Sequence, residues 1–237
     1  MLPHAWWLLA GVVGMYVYDA VLLLYHNEVV FFERRDGSWS FATGSEFELA
    51  GRHVYLPALL APQRPVLRLR WSSLQAPSPV SSVRGLRAWR IGVAASSVPV
   101  TVVALVFAVM PVVLATNVLV LLGWMIVLYA AITLAVVRAW QLRKVTGMGG
   151  KAFSGMASDA LLCAPYAMNL VRKQGARAAE RFDLFTTAQR LLAGEERARL
   201  AGALRGKLQR QMDLEDTDSA RHAQLASYLN QIEGALA

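Results

Sequence analysis

The chain has a single cysteine, Cys163. A lone thiol makes no intrachain disulfide and no cysteine-based zinc site. Charge is also scarce: Asp, Glu, Lys and Arg make up 17% of the 237 residues, against about 25% in an ordinary soluble domain. With 56% hydrophobic residues, the same scarcity excludes intrinsic disorder. Nine prolines and 17 glycines are too few for a collagen-like or linker-type chain. The only lysines are Lys144, Lys151, Lys173 and Lys207, far outnumbered by arginine. With abundant alanine, that is how a GC-rich bacterial genome reads.

Motifs that carry chemistry are missing too. There is no G-x-S-x-G elbow and no H-E-x-x-H pair, and His4, His26, His53 and His222 stand apart at no metal-ligand spacing. The run Gly147-Met148-Gly149-Gly150-Lys151-Ala152 falls short of a phosphate-binding loop. Val145 stands where the first glycine belongs, and Ala152 where a hydroxyl would hold magnesium. It reads as a flexible linker, and Cys163, set in an apolar run, as inert packing. The sequence therefore predicts no catalytic residue, no cofactor and no metal.

What the chain has is long apolar runs. Ala5 to Tyr25 is ~20 residues of apolar sequence with Trp6 and Trp7 at one end and Tyr25 at the other, enough for a ~30 Å hydrocarbon core. It is read as a first membrane span rather than a signal peptide, because no Lys or Arg precedes it and no A-x-A site follows. Ile91–Ala115 and Val118–Val137 carry no charge and form a second and third span. They are expected to join as a hairpin turning at Thr116-Asn117, beyond Pro111.

Basic residues orient the spans. Arg84, Arg87 and Arg90 precede the second, and Arg138, Arg143 and Lys144 follow the third. The expectation is a multi-pass bacterial inner-membrane protein with its N-terminus outside and its C-terminus in the cytoplasm. Arg84, Arg87, Arg90, Arg138, Arg143, Lys144, Arg172 and Lys173 are assigned to lipid headgroups.

Between the spans, alternation of apolar and polar residues predicts a small antiparallel sheet of four or five strands. Trp39 and Phe41, Phe47 and Leu49, and Leu67, Leu69 and Trp71 are its expected inward faces, with a turn at Asp36-Gly37. Residues 72–83 read as a Ser/Pro-rich linker. Residues 157–173 read as an interfacial helix, or one packed on the sheet, bent at Pro165 and too short to span. In the tail, Leu200, Leu204 and Leu208 form one stripe and Leu225, Leu229 and Ile232 another. They are assigned to a helical hairpin capped at Thr217 or Asp218, with any uncovered stripe open to a partner helix.

The expected fold class is thus three transmembrane helices with a small cytoplasmic antiparallel sheet and a C-terminal helical hairpin. The divisions are 1–27, 28–83, 84–138 and 139–237. Asp19, inside the first span, is the one candidate polar site in the membrane. A hydrogen-bonded or salt-bridged carboxylate is favoured over a proton or ion relay. Ala10/Gly14 and Ala131/Ala135 mark faces for close helix approach, compatible with a homo-oligomer.

The expected function is a non-enzymatic accessory, scaffold or assembly subunit of a larger membrane complex. Its partners would be lipids and other proteins, not nucleic acid. The alternatives are an oligomeric channel or transporter component and, third, a membrane-anchored enzyme acting on lipid or envelope precursors.

Overall fold

A computed structural model describes residues 3–71, 83–114, 116–177 and 182–236. The linker at 72–82 lies outside the described residues. The protein is mostly helical, with two small antiparallel sheets, and divides into two compact units that each draw on several stretches of chain.

The first unit comprises residues 1–22, 56–66 and 87–178. Helix α1 runs Pro3–Ala20 and α2 Val83–Ala108. A single turn, α3, covers Met110–Val113, and α4 covers Val118–Thr146. Helix α5 is Gly150–Leu162, a 3-10 segment spans Ala164–Asn169, and α6 is Leu170–Arg177. The hairpin turn falls where expected. Pro111 opens α3, and the Asn117 side chain caps α4 by accepting a bond from the Val120 amide at 3.0 Å. Helices α2 and α4 run antiparallel. Near the turn, the Trp124 indole donates to the Val106 carbonyl at 2.9 Å. At the other end, Gly92 lies against Leu142 and Val145. Two helical stretches, Gly85–Val113 and Val118–Val145, are long and apolar enough to cross a membrane.

Three expectations for this unit need correction. First, the run ending at Tyr25 is not one helix. α1 stops at Ala20, and Leu22–Leu24 is strand β1, because a short apolar run fits helix and strand equally well. Second, the glycine-rich stretch is no open linker. Gly147, at φ 79°, ends α4 in the left-handed conformation that glycine adopts without strain, and α5 begins at Gly150. Third, residues 157–173 are not one helix but the end of α5, the 3-10 segment and the start of α6, with Pro165 beginning the tighter turn.

The second unit comprises residues 23–55, 67–86 and 179–237. Its strands are β1, β2 (Glu28–Glu33), β3 (Trp39–Ala42), β4 (Glu48–Leu49), β5 (Arg52–Tyr55) and β6 (Val66–Arg70). They form two three-stranded sheets, ordered β1-β5-β4 and β3-β2-β6, not one sheet of four or five. The β2–β3 hairpin turns at Asp36-Gly37 and pairs Phe31 with Phe41. Helices α7 (Leu184–Leu191), α8 (Gly194–Met212) and α9 (Ala220–Leu236) complete the unit.

Leu67, Leu69 and Trp71 point inward as the alternation requires, and Trp71 stacks on Tyr228 at 5.9 Å. Two other strand readings fail. Ser40 is buried beside Trp39 because its hydroxyl donates to Glu196 at 2.8 Å. Phe47 and Leu49 are exposed, since β4 is a two-residue edge strand. The α9 cap is Ser219, not Thr217 or Asp218: its hydroxyl accepts from the His222 amide at 3.0 Å.

Candidate functional site

Asp19 sits in the last turn of α1, near the negative end of the helix dipole, where a carboxylate is disfavoured. The first unit offsets this from α6 and the 3-10 segment. The Lys173 ammonium lies 2.6 Å from Asp19 Oδ1, and the Asn169 amide donates to Oδ2 at 3.0 Å. Asp159 approaches the same lysine at 3.8 Å.

One turn back on α1, Tyr16 receives a bond from Arg172 at 3.1 Å and itself donates to the Leu59 carbonyl. Arg172 also donates to Asn169 Oδ1 at 2.8 Å and to the Ala58 and Ala61 carbonyls at 2.6 and 3.2 Å. The spacing of Asn169, Arg172 and Lys173 puts all three on one helical face, turned to α1. Gly175 lets α6 lie close against Val66, because a Cβ there would overlap the Val66 carbonyl.

This network overturns two headgroup assignments. Arg172 is 3% exposed, and both its terminal nitrogens donate to oxygens of its own chain. Lys173 is paired to Asp19. Arg172 is thus turned inward, and Lys173, half-buried, is engaged within the chain. Asp19 is held by lysine and amide donors within the chain, the arrangement of a structural carboxylate. Sequence reading missed Tyr16 and Asn169. Their only signal is a polar atom in an apolar run, with no spacing to link residues ~150 positions apart.

The remaining candidate cations stay at the hairpin base. Arg87, Arg90, Arg138 and Lys144 are exposed. Arg143 lies 3.6 Å over the Trp140 ring, which packs on Phe153 at 5.0 Å. The Arg84 side chain lies outside the described residues. Cys163 is half-exposed, with its sulfur 3.6 Å from that of Met15. Ala131 and Ala135 are buried, whereas Gly14 on α1 faces open space.

The second unit has its own buried charges. Glu28, 2% exposed, accepts from Arg68, from Arg70 Nε at 2.9 Å and from the Tyr25 amide at 2.8 Å. Burial pushes its pKa up, but the bonds from Arg68, Tyr25 and Arg70 outweigh that and hold it below the usual carboxylate value. Glu196 is likewise lowered. Burial opposes its charge, and the Ser40 hydroxyl with the Arg34 and Arg199 guanidiniums favours it. Lys207 is shifted down by burial and by Arg210, and donates to the His26 carbonyl at 3.1 Å.

The tail stripes face each other. Leu200, Leu204, Leu208, Leu225 and Ile232 are buried where α8 packs on α9, Leu229 is half-buried, and Tyr228 takes the inward position beside it. These stripes are thus not open to a partner helix. Among the described residues, no group of three or more His, Cys, Asp or Glu could hold a metal ion. No family model matches the chain, and neither a curated protein nor a solved structure does.

Proposed function

We propose that the protein is a multi-pass inner-membrane accessory or assembly subunit, with α1 and the α2–α4 hairpin in the bilayer and the basic flanks in the cytoplasm. The observation that carries this reading is the outward apolar surface of the hairpin. Only 33% of the most apolar window of Gly85–Val113 and 22% of that of Val118–Val145 is buried within the chain. Ile91, Val98 and Leu105 on α2, and Leu119, Leu122 and Ile126 on α4, are exposed. Water would penalise this surface at about 25 cal/mol per Å², whereas lipid tails or other spans would not.

In this reading the second unit supplies the polar-side contact. Its own helices cover the two leucine stripes of the tail, and the β4–β5 hairpin, with exposed Phe47 and Leu49, offers an apolar surface to another subunit. Asp19, locked to Lys173, favours assembly over ion transport.

The test is carbonate extraction of native membranes, followed by crosslinking and purification of the full chain. Resistance to carbonate and stoichiometric recovery of a membrane partner, lost in the Phe47→Ser/Leu49→Ser variant, are the expected results. Release by carbonate, or recovery of the chain alone as a stable monomer, would contradict the reading.

A further inference from the structure

Between Glu48 and Asp159 the chain has eleven Arg and Lys residues and no acid. Within the first unit, six of these cations belong to the same end of the hairpin. Arg87 and Arg90 lie on the first turns of α2, Arg138, Arg143 and Lys144 on the last turns of α4, and Lys151 on the first turn of α5. Gly92 against Leu142 and Val145 fixes the two helix ends at one level. The α4–α5 turn at Gly147 brings Lys151 to that level, and Arg143 Nη1 lies 3.7 Å from the Cβ position of Gly150.

Arg87, Arg90, Arg138, Lys144 and Lys151 are exposed, and among the described residues none has a carboxylate within ion-pair distance. The contrast with Arg172 and Lys173, and with Arg68 and Arg70, is chemical: those four meet carboxylates or buried carbonyls of their own chain, whereas these five meet no carboxylate, and Arg138 has only the neutral Gln141 amide at 3.1 Å. Trp140 stands at the same level, 47% exposed beneath the Arg143 guanidinium. An amphipathic ring beside unpaired cations, one turn from a charge-free apolar helix, matches the layered chemistry of a bilayer edge.

We infer that Arg87, Arg90, Arg138, Lys144 and Lys151 form a belt that binds the phosphodiester headgroups of anionic phospholipids. The inference rests on the membrane reading above and adds to it a lipid class. Charge complementarity selects the anionic headgroup over the zwitterionic one, whose ammonium would meet five like charges. Continuity of the belt with the exposed apolar face of α4 selects a lipid over a free anion or a polynucleotide, neither of which has use for Trp140 and Val137.

The experiment titrates the full chain, in neutral detergent, with short-chain phosphatidylglycerol or short-chain phosphatidylcholine and reads the melting temperature. Inorganic phosphate and a single-stranded oligonucleotide are parallel arms. Phosphatidylglycerol is expected to raise the melting temperature well beyond the other three. In the variant R87Q/R90Q/R138Q/K144Q/K151Q its half-saturating concentration rises about tenfold or more. The control R35Q/R190Q/R210Q, which removes exposed cations of the second unit, leaves it unchanged. If the fivefold variant does not fold, R87Q/R90Q and R138Q/K144Q/K151Q are titrated separately, each with a smaller rise expected. Equal response to phosphatidylcholine, to phosphate or to the oligonucleotide, or an unchanged midpoint in the variants, would overturn the belt. A carbonate-resistant chain that is indifferent to lipid class sinks the belt alone, whereas carbonate release sinks the membrane reading beneath it.

Discussion

Leu204 and Leu122 are the same side chain on two long helices, with opposite surroundings. Leu204 is fully buried in the second unit, where α8 packs on α9. Leu122 stands exposed on α4 in the first. Helix α8 carries leucine every fourth residue among Arg, Glu and Gln, so it has one apolar stripe, and one neighbour covers it. From Val118 to Val137, α4 is apolar around its whole circumference, more than the neighbouring helices of its own unit can cover. The charges follow the same division. In the second unit Arg34, Arg68, Arg70 and Arg199 each meet a glutamate. In the first unit Arg87, Arg90, Arg138, Lys144 and Lys151 are exposed and, among the described residues, meet no carboxylate. A stripe implies a partner within the fold, whereas an all-round apolar surface implies an apolar surrounding.

The sharpest break of this comparison is Arg172→Leu, which treats a cation of the first unit as if it belonged to the outward-facing set. Four oxygens, on Ala58, Ala61, Asn169 and Tyr16, would lose their donor in a buried site. The expected loss is about 3–5 kcal/mol, read as a fall in unfolding midpoint in detergent. A wild-type midpoint would mean that Arg172 is solvated and that the network does not exist.

Next comes the leucine pair itself. Leu204→Ala is expected to cost about 2–5 kcal/mol, the transfer term plus a cavity. Leu122→Ala, measured in detergent that covers α4, should change stability by under about 0.5 kcal/mol. Equal costs would mean that α4 is packed inside protein, and the contrast between the two helices would vanish.

How far these differences were legible in the sequence follows from the range of each signal. The hairpin turn and each leucine stripe are set by residues within a few positions of each other, and both were readable. The exposure of Phe47 was not. Alternation identifies a strand's two faces but not which face is covered, and β4 turned out to be an edge. The end of α1 was hidden because Val-Leu-Leu-Leu suits a strand and a helix alike. Arg172 and Lys173 were misassigned because their partners, Tyr16 and Asp19, lie more than 150 residues away in sequence. In the candidate site, Asp19 was legible as a carboxylate in need of a partner, and the partner itself was not.

That pair sets a smaller test. Asp19→Asn keeps the shape and removes the charge facing Lys173, at an expected cost of about 1–3 kcal/mol. A double-mutant cycle with Lys173→Met should return a coupling of at least about 0.5 kcal/mol. No coupling would free Asp19 from its structural role and reopen the relay reading.

The smallest effect separates the paired charges of the second unit from the unpaired ones of the first by pH alone. The Glu28 carboxyl is held below its ordinary value of 4.5 when folded, because the donors from Arg68, Tyr25 and Arg70 outweigh the cost of burial. The unfolded chain therefore binds the proton first as pH falls. The stabilisation is complete above about 4.5, the unfolded value, and is lost as pH drops through the lower folded value. Wild-type stability should decline in that acid window. Glu28→Gln, which keeps the acceptor oxygen but not the charge, should start lower at neutral pH and decline less steeply. The variant R87Q/R90Q, whose native side chains face no acid, should keep the wild-type slope. If Glu28→Gln shares that slope as well, the carboxylate is not what Arg68 and Arg70 are held by, and the distinction between satisfied and outward-facing cations loses its physical basis.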